Sequence, residues 1–256
     1  MLSLKGKVAI VTGGSRGIGA AVTEKLAKEG TKVIVNYAHS ADSANSLVEK
    51  IKKDGGEATA VKADVAVKKD VDIMVQKTLN LYDGNIDILV NNAGICPMTE
   101  WFNMTEKLWD KVHAINMKGT FLCSHAVSKV MKESGKGGSI IAMSSLSALV
   151  GGSLQTHYCP TKAGMKSLMQ CLAIVLGPYG IRCNSVLPGC ILTDVNREQM
   201  ETNVELRKYF EKRIPLHRLG KPDDIGGVVA FLCSDEARYI NGAEILVDGG
   251  MFVNLQ

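Results

Sequence analysis

The 256-residue sequence lacks any C-x-x-C pair, although it contains seven cysteines. An odd cysteine count without paired spacing argues against a disulfide framework and against a zinc site. Most of the cysteines have apolar neighbours, as in FLCSHAV and FLCSDEA, which is typical of small core residues. The five histidines show no paired ligand spacing either: they are His39, His113, His125, His157 and His217. We therefore predict that no metal is bound.

Long apolar stretches and runs of one charge are also missing. No stretch approaches the ~20 apolar residues of a membrane-spanning helix. The first residues, MLSLKGKVAIVTGG, enter a strand-like run without the apolar core of a signal peptide. The 30 basic and 26 acidic residues give a net charge of +4 without a basic cluster, which disfavours nucleic acid as a partner. These absences predict a soluble, reduced, cytoplasmic protein with no membrane and no nucleic-acid partner.

The hydrophobic pattern alternates between short apolar runs, typical of strands buried on both faces, and helical periods. Predicted strands cover 7–12, 32–36, 58–64, 86–92, 138–145, 181–187 and 243–250, and predicted helices cover 17–30, 41–54, 68–82, 105–133 and 157–178. This order predicts a single α/β domain over 1–256, a Rossmann-type doubly wound parallel sheet of about seven strands with helices on both faces. The polar segment 190–220 is predicted to be a mobile insert that closes over the substrate.

The stretch TGGSRGIG at 12–19 follows the first strand and opens the first helix. Positions without side chains let backbone N–H groups approach phosphates, and the helix N-terminus adds its positive end. A glycine-rich tight turn is the alternative, but the place between strand and helix favours a diphosphate site. The predicted cofactor contacts in this loop are Gly13, Ser15, Arg16, Gly17, Ile18 and Gly19.

The end of the second strand lacks the carboxylate that would bond the ribose 2′-hydroxyl of NAD and repel the 2′-phosphate of NADP. Asn36 stands there instead, and no acid follows until Asp42. Arg16 either holds that phosphate with its guanidinium or is an ordinary solvated charge. We therefore predict NADP as the cofactor, contacted by Asn36 and Arg16, with NAD as the alternative.

The stretch HYCPTKAG at 157–164 places Tyr158 one helical turn before Lys162, so the two side chains share a face. A phenol with a pKa near 10 is a poor base at neutral pH. A unit charge about 4 Å away at an effective dielectric of ~20 is worth ~4 kcal/mol, enough to lower that pKa by up to ~3 units. In the alternative interpretation Tyr158 merely packs beneath the aliphatic stem of Lys162.

Several motifs in the right order resemble the short-chain dehydrogenase/reductase family over essentially the whole chain. They are TGGSRGIG, NNAG at 91–94, Asn116 in INMKG, Ser145 in SIIAMSS, YCPTK at 158–162 and PG at 188–189. Ser145 precedes Tyr158 by 13 positions, the spacing that the family shows. The joint occurrence of these motifs is far more specific than any one of them.

The resemblance implies a role for each of four catalytic residues. Tyr158 is the general acid/base while a hydride moves to or from nicotinamide, and Lys162 lowers its pKa and bonds the nicotinamide ribose. Ser145 holds the substrate oxygen, and Asn116 anchors a water that links Lys162 to solvent. An intact set of this kind disfavours a third hypothesis, a nucleotide sensor without catalysis.

The resemblance also implies further cofactor contacts and an assembly. The contacts are Asp64, Val65, Asn92, Ala93, Gly94, Tyr158, Lys162, Pro188, Gly189 and Thr193. Asn91 either joins them or serves the sheet backbone. The family usually forms a homotetramer from its paired long helices and C-terminal strand. The apolar residues expected to be buried in those interfaces are Phe121, Leu168, Leu172 and Val253, and packing in the core is the alternative for them.

Within this family, segments 137–164, 176–189 and 247–256 are similar to L-rhamnose 1-dehydrogenases. That likeness implies a sugar substrate whose anomeric hydroxyl at C1 is oxidised to the lactone. Ser145, Tyr158, Ser147, Gln155 and Asn196 are the predicted substrate contacts. Ser147 and Gln155 have loop backbone as their alternative partner, and Cys190 stands where a hydroxyl would offer one more bond.

A 3-oxoacyl carrier-protein reductase or a general carbonyl reductase shares every motif above. A carrier-protein reductase needs a basic surface near its pocket to dock an acidic partner. The residues that would supply it are Arg197, Arg207, Lys208, Lys212 and Arg213.

Overall fold

Seven parallel strands form one sheet in a computed structural model that describes residues 2–194 and 196–254. The strand order is β3-β2-β1-β4-β5-β6-β7. The strands are β1 (Val8–Val11), β2 (Lys32–Tyr37), β3 (Glu57–Lys62), β4 (Ile88–Asn91), β5 (Gly138–Met143), β6 (Ile181–Pro188) and β7 (Glu244–Val247). The predicted fold class is thereby confirmed, and four residues of the predicted domain span lie outside the described residues.

Helices follow the strands and cover the sheet. They are α1 (Gly17–Lys28), α2 (Ala41–Lys53), α3 (Lys68–Leu81), α4 (Glu106–His113), α5 (Gly119–Ser134), α6 (Tyr158–Leu176), α7 (Arg197–Thr202), α8 (Val204–Arg213) and α9 (Pro222–Cys233). Short 3-10 turns occupy Trp101–Asn103, Leu146–Ala148, Gly177–Tyr179 and Asp235–Ala237. None of the helices within the described residues has the length and apolarity to cross a membrane.

The core consists of two layers, one on each face of the sheet. In β2, Val33 and Val35 pack with α1, α2 and α9, whereas Ile34 between them packs with α3, α5 and α6. Successive strand side chains point to opposite faces, so a strand covered on both sides must be apolar throughout. This is why the strand runs are continuous rather than alternating.

Strand order reverses between β1 and β4, which lie side by side at the centre of the sheet. After β1 the chain continues to β2 and β3 on one side of the sheet, and after β4 it continues to β5, β6 and β7 on the other side. The loops at the carboxyl ends therefore diverge and open a crevice, the usual ligand position in such sheets. The motif residues at 12–19, 92–94 and 144–145 directly follow β1, β4 and β5.

The predicted long helix 105–133 is interrupted by a π-helical turn at Ala114–Lys118 between α4 and α5. Thr105 caps it as expected, because its hydroxyl accepts the N–H of Leu108 at 3.2 Å. The turn holds Asn116 fully buried at its centre. Such π turns inside helices occur frequently at functional sites.

The predicted insert 190–220 contains two helices, α7 and α8, which the polar sequence did not indicate. Its mobility stays a prediction. Helix α9 was also missed, because Gly226 and Gly227 lie within it and glycine is a poor helix former. A side chain at Gly226 would come 2.9 Å from the carbonyl oxygen of Ala21. The glycine therefore allows α9 and α1 to pack closely.

Candidate active site

The glycine loop after β1 is fastened to the loop after β4. The Thr12 hydroxyl accepts the N–H groups of Asn92 and Ala93, each at 3.0 Å. The Asn92 amide in turn donates to the carbonyls of Thr12 and Gly13, each at 3.0 Å. The Asn92 side chain thus shapes the predicted cofactor crevice by holding the backbone of the glycine loop.

The glycines of the loop are required by space and by backbone conformation. Gly13 and Gly17 have φ values of +59° and +54°, which side-chain-bearing residues rarely adopt. A Cβ at Gly19 would lie 2.2 Å from the carbonyl oxygen of Gly13, and one at Gly17 would lie 3.6 Å from Thr193 Cβ. The loop at the start of α1 thus leaves a cradle free of side chains, which fits a diphosphate.

Arg16 is the N-cap residue of α1 and is exposed, whereas Ser15 and Ile18 are half-buried. No side chain among the described residues forms a hydrogen bond or ion pair with the Arg16 guanidinium. Its place at the mouth of the cradle leaves it available for an anionic ligand.

Asn36 is 1% exposed and serves the protein backbone. Its side-chain oxygen accepts the N–H of Gly13 at 3.2 Å, and its amide nitrogen donates to Ala63 at 3.0 Å and Val61 at 3.4 Å. The expectation that its side chain faces the ribose is therefore corrected. An amide fits this position because it supplies both a donor and an acceptor.

Replacing Asn36 with aspartate is expected to destabilise the protein rather than shift its preference towards NAD. A carboxylate there would be buried and would face two carbonyl oxygens, at a cost of about 3 kcal/mol. Thermal unfolding measures this cost. The control is Asn80→Asp, an exposed position where the carboxylate can still accept the hydrogen bond from Gln76. A stable Asn36→Asp protein with improved NAD use would contradict this assignment.

The remaining adenosine-side residues line the same crevice. Asp64 accepts the N–H of Ala66 at 2.9 Å, and Val65 is 5% exposed against the start of α5. Asn91 donates to the Ser124 hydroxyl at 3.0 Å, so its amide holds β4 to α5. That partner is a side chain of α5 and not the sheet backbone of the alternative role, so both roles of Asn91 stay predictions.

The loop after β6 borders the crevice on the far side. Gly189 donates to the carbonyl of Val247 at 3.1 Å, and a Cβ there would lie 2.5 Å from Asp248. Pro188 closes β6 and is buried. Thr193 reaches the glycine loop, since it lies beside Gly17.

Asn116 fixes the loop that follows β4. Its side-chain oxygen accepts the N–H of Ile95 at 2.9 Å, and its amide donates to the Ile95 carbonyl at 3.0 Å and to the Thr161 hydroxyl at 3.1 Å. A Cβ at Gly94 would lie 3.3 Å from Asn116 Oδ1 and 3.5 Å from Lys162 Nζ. The predicted catalytic residues Asn116 and Lys162 therefore meet at Gly94.

Lys162 is almost completely buried, with 3% of its surface exposed. Its Nζ donates to the Met143 carbonyl at 2.7 Å and lies 5.4 Å from the centre of the Tyr158 ring. Burial lowers the pKa of Lys162 to about 8, and the nearby Cys96 thiol opposes that change. Near neutral pH the ammonium form still predominates.

Tyr158 is half-buried at the start of α6, beside Ser145. Burial raises the pKa of Tyr158 above its usual value, the Cys96 thiol adds to this rise, and the Ser145 hydroxyl opposes it. The expected lowering of the Tyr158 pKa by Lys162 is thus not found in the protein without ligand. Desolvation outweighs the charge because the Lys162 ammonium is directed at a backbone carbonyl.

Two of the three further predicted substrate residues lie together beside this pair. Ser147 donates to Gln155 Oε1 at 3.2 Å, and Gln155 Nε2 contacts Cys96 Sγ at 3.5 Å. All three side chains are half-buried. They form a polar wall next to Ser145, whose hydroxyl accepts the Ser147 N–H at 3.1 Å.

Asn196 is engaged within its own loop. Its oxygen accepts the Thr193 N–H at 2.8 Å and its amide donates to the Ile191 carbonyl at 3.0 Å. These bonds make Asn196 a loop-shaping residue, and its contact with a sugar hydroxyl stays a prediction. Cys190, one residue earlier than this loop, is half-buried.

Three residues that sequence reasoning missed support the site. Thr12 joins the two central loops, Thr161 holds the Asn116 amide, and Ser144 donates to the Lys162 carbonyl at 2.8 Å. Each is a hydroxyl residue within a quoted motif, which is the only signal the sequence carries. Within residues 2–194 and 196–254, no group of three His, Cys, Asp or Glu side chains is placed to hold a metal ion.

Comparisons with known proteins agree with this geometry. A family model described as enoyl-(acyl carrier protein) reductase matches residues 13–252. The chain is 50% identical over 253 residues to L-rhamnose 1-dehydrogenase (NAD(P)(+)) of Azotobacter vinelandii, covering 98% of each chain. It is 40% identical over 247 residues to a 3-oxoacyl-[acyl-carrier-protein] reductase of Staphylococcus epidermidis, covering 96% of this chain and 99% of that one.

A solved short-chain type dehydrogenase/reductase from Mycobacterium marinum superposes with a TM-score of 0.90 at 33% identity, covering 97% of this chain and 96% of that one. The family motifs occupy the carboxyl edge of the sheet, where Tyr158, Ser145, Lys162 and Asn116 converge. Sequence, fold and site lead to the same assignment: the chain belongs to the short-chain dehydrogenase/reductase family of nicotinamide-dependent oxidoreductases.

Proposed function

We propose that this protein oxidises the C1 hydroxyl of L-rhamnose, or of a similar aldose, to the lactone with NADP as cofactor and NAD as the alternative. The observation that carries the proposal is the polar wall of Ser147 and Gln155 beside Ser145 and Tyr158. A polyol matches such a wall better than an acyl chain does, because a buried polar group requires a partner. The 50% identity to an enzyme of that name supports it.

In this proposal each catalytic residue acts at a stated atom. The Ser145 hydroxyl donates to the substrate oxygen, and the Tyr158 phenolate takes the proton of the C1 hydroxyl. A bound nicotinamide supplies the acceptor for the hydride that leaves C1. Lys162 would hold the ribose of a bound nicotinamide cofactor, and its positive charge would favour the phenolate of Tyr158.

The residues around the glycine cradle support a preference for NADP. The chain has no acid from 30 to 41, and Arg16 is exposed at the mouth of the cradle without a protein partner among the described side chains. A guanidinium and a phosphate form strong, charge-assisted hydrogen bonds. We infer that Arg16 bonds the 2′-phosphate.

Replacing Arg16 with alanine is expected to raise KM for NADP roughly 10- to 100-fold, as for the loss of a hydrogen bond to a charged group, with little change for NAD. Steady-state kinetics with both cofactors measure this, and Lys28→Ala, an exposed cation in the last turn of α1, controls for net charge. Equal losses for both cofactors would show that Arg16 contacts the shared diphosphate instead.

The carrier-protein reductase is the second candidate function, and the charges on α7 and α8 weigh against it. Arg207 pairs with Glu211 at 2.9 Å and Lys208 with Glu205 at 3.2 Å. Arg197 lies between Asp194 at 3.9 Å and Glu201 at 3.6 Å. Three of the five cations named for docking are neutralised in this way, which weakens the attraction to an acidic carrier protein.

A substrate panel tests the proposed function. Reduced-nicotinamide absorbance is followed with L-rhamnose, L-lyxose, L-mannose, D-glucose and simple secondary alcohols, each with NADP and with NAD, and with acetoacetyl thioester in the reverse direction. We expect the highest kcat/KM with L-rhamnose or a close aldose. Ready reduction of the thioester without sugar turnover would assign the reductase function.

We propose that the protein is a homotetramer in the cytoplasm. Seven free thiols suit a reducing compartment. Three apolar side chains are exposed: Phe121 on α5 by 47%, Ile174 on α6 by 78% and Val253 near the C-terminus by 74%. Leu168 and Leu172 instead pack mostly within the chain.

Light scattering at micromolar protein is expected to give about 110 kDa, four times the 27.5 kDa of one chain. Burying the exposed apolar residues of α5 and α6 supplies the driving force. Ile174→Glu should lower the mass, whereas Glu133→Gln on α5 should not. A monomer mass for the unmodified protein would contradict the assembly.

A further inference from the structure

His157 is a fully buried histidine beside the catalytic tyrosine, with no exposed surface. It precedes Tyr158 at the N-cap position of α6, where its side chain forms no capping hydrogen bond. Neither of its ring nitrogens has a hydrogen-bond partner of normal geometry among the described residues. A buried imidazole always carries at least one donor or acceptor that requires a partner, so this ring is expected to find one during the reaction cycle.

The Pro97 backbone and His113 are the groups that influence the ring. Burial lowers the pKa of His157, the Pro97 backbone raises it, and His113 at the end of α4 lowers it further. His113 is itself engaged, since its Nδ1 lies 3.0 Å from the Trp109 carbonyl and its ring stacks on Trp109. The Pro97 carbonyl is therefore an acceptor to which a neutral His157 ring can donate.

The segment 96–98 is held at its ends. Asn116 binds Ile95 on one side, and the Thr99 N–H donates to the Leu154 carbonyl at 3.1 Å on the other. Between them, Pro97 and Met98 are exposed, and the Pro97 carbonyl accepts the Thr99 hydroxyl at 3.2 Å. That oxygen has a second lone pair to offer.

Cys96, in the same segment, contacts Gln155 Nε2 at 3.5 Å. Gln155 also accepts the backbone N–H of Tyr158 at its own carbonyl, at 2.9 Å. A ligand that binds the Gln155 amide would replace a weak N–H···S contact and change the position of Cys96. Gln155 therefore contacts both segment 96–98, through Cys96, and the start of α6, through the Tyr158 N–H.

We propose that His157 is a positioning residue whose ring donates to the Pro97 carbonyl when segment 96–98 closes on a bound aldose. The bond couples closure of the substrate pocket to the start of α6, where Tyr158 lies. Hydrogen bonds of a site are often incomplete without ligand and shorten in the complex. The inference rests on the proposed function only for the identity of the substrate.

His157→Phe keeps the ring volume and removes the donor. It is expected to raise KM for L-rhamnose roughly fivefold, the effect of one ordinary hydrogen bond, with kcat and the Kd of NADP nearly unchanged. His157→Gln keeps an N–H and should restore most of the affinity. Thr156→Val is the matched control, because the Thr156 hydroxyl is equally buried and unpartnered among the described residues.

Hydrogen exchange of the unmodified protein gives an independent readout. L-rhamnose added to the NADPH complex should slow exchange in peptides covering 95–99 and 156–160 together, and His157→Phe should abolish the protection at 95–99. Unchanged exchange in both peptides, or equal KM effects of Thr156→Val and His157→Phe, would overturn the proposal. If L-rhamnose is not turned over, the proposed function fails, and the same measurements with the best substrate of the panel decide the role of His157.

Discussion

Replacing Tyr158 with phenylalanine is expected to lower turnover by a factor on the order of 10²–10⁴, the usual contribution of a general acid/base. The phenol oxygen is the only atom removed, and it lies beside Ser145 at the start of α6. The variant should fold normally, because removing the hydroxyl of a half-buried ring opens no large cavity. Single-turnover kinetics with saturating cofactor measure the loss at the chemical step.

Tyr179→Phe is the matched control for this change. Tyr179 is 42% exposed in the turn after α6, where its ring lies under Lys132 Nζ at 4.6 Å. It should keep full activity. Turnover within tenfold of the unmodified enzyme in a folded Tyr158→Phe protein would remove Tyr158 from its role.

Replacing Lys162 with methionine is expected to abolish most activity and to stabilise the free protein. Burial lowers the pKa of Lys162 from 10.5 to about 8, which corresponds to a charge penalty of about 3 kcal/mol at neutral pH. Methionine removes this penalty and loses the bond to Met143, worth about 1 kcal/mol. The net gain in the free energy of unfolding is therefore about 2 kcal/mol.

The pH dependence of that gain follows from the direction of the shift. The unfolded chain holds the Lys162 proton up to its ordinary pKa of 10.5, whereas the folded chain loses it near 8. The contribution of Lys162 to the free energy of unfolding therefore rises as the pH increases from about 8 to 10.5. This contribution is lowest below about pH 8. The advantage of Lys162→Met should shrink as pH rises through this window.

Denaturant unfolding at pH 7 and pH 10 tests the stability difference. Lys166→Met, one turn further along α6, is the control, since Lys166 pairs with Glu244 at 3.0 Å and does not approach Tyr158. This control should keep activity and gain no stability. A Lys162→Met protein that is both active and destabilised would contradict the account of Lys162.

Much of the fold was predictable because strand burial and glycine chemistry act locally. Continuous apolar runs such as that in β2 require cover on both faces, and TGGSRGIG requires a strand before it and a helix after it. Helix α9 escaped prediction because the reason for Gly226 is the carbonyl of Ala21, more than 200 positions away in the chain. Local propensity carries no information about such a contact.

The candidate site was predictable in its residue types and less so in their contacts. Asn36 and Asn196 carry the polar groups expected of ligand contacts. The partners of Asn36 are backbone atoms of neighbouring segments, and those of Asn196 are backbone atoms of its own loop. The direction of the pKa shift of Tyr158 was also not predictable. Spacing places Lys162 near the phenol, whereas burial and the Met143 carbonyl decide the electrostatics.

The central claim, that Tyr158 serves hydride removal from C1 of an aldose, is tested most directly with L-rhamnose deuterated at C1. The deuterated sugar is incubated with the protein and NADP, and the reduced cofactor and the sugar product are analysed by mass spectrometry. The account predicts one deuterium in the reduced cofactor, a lactone as the product, and loss of both in Tyr158→Phe. A reduced cofactor without deuterium, or no lactone while an acetoacetyl thioester is readily reduced, would contradict it.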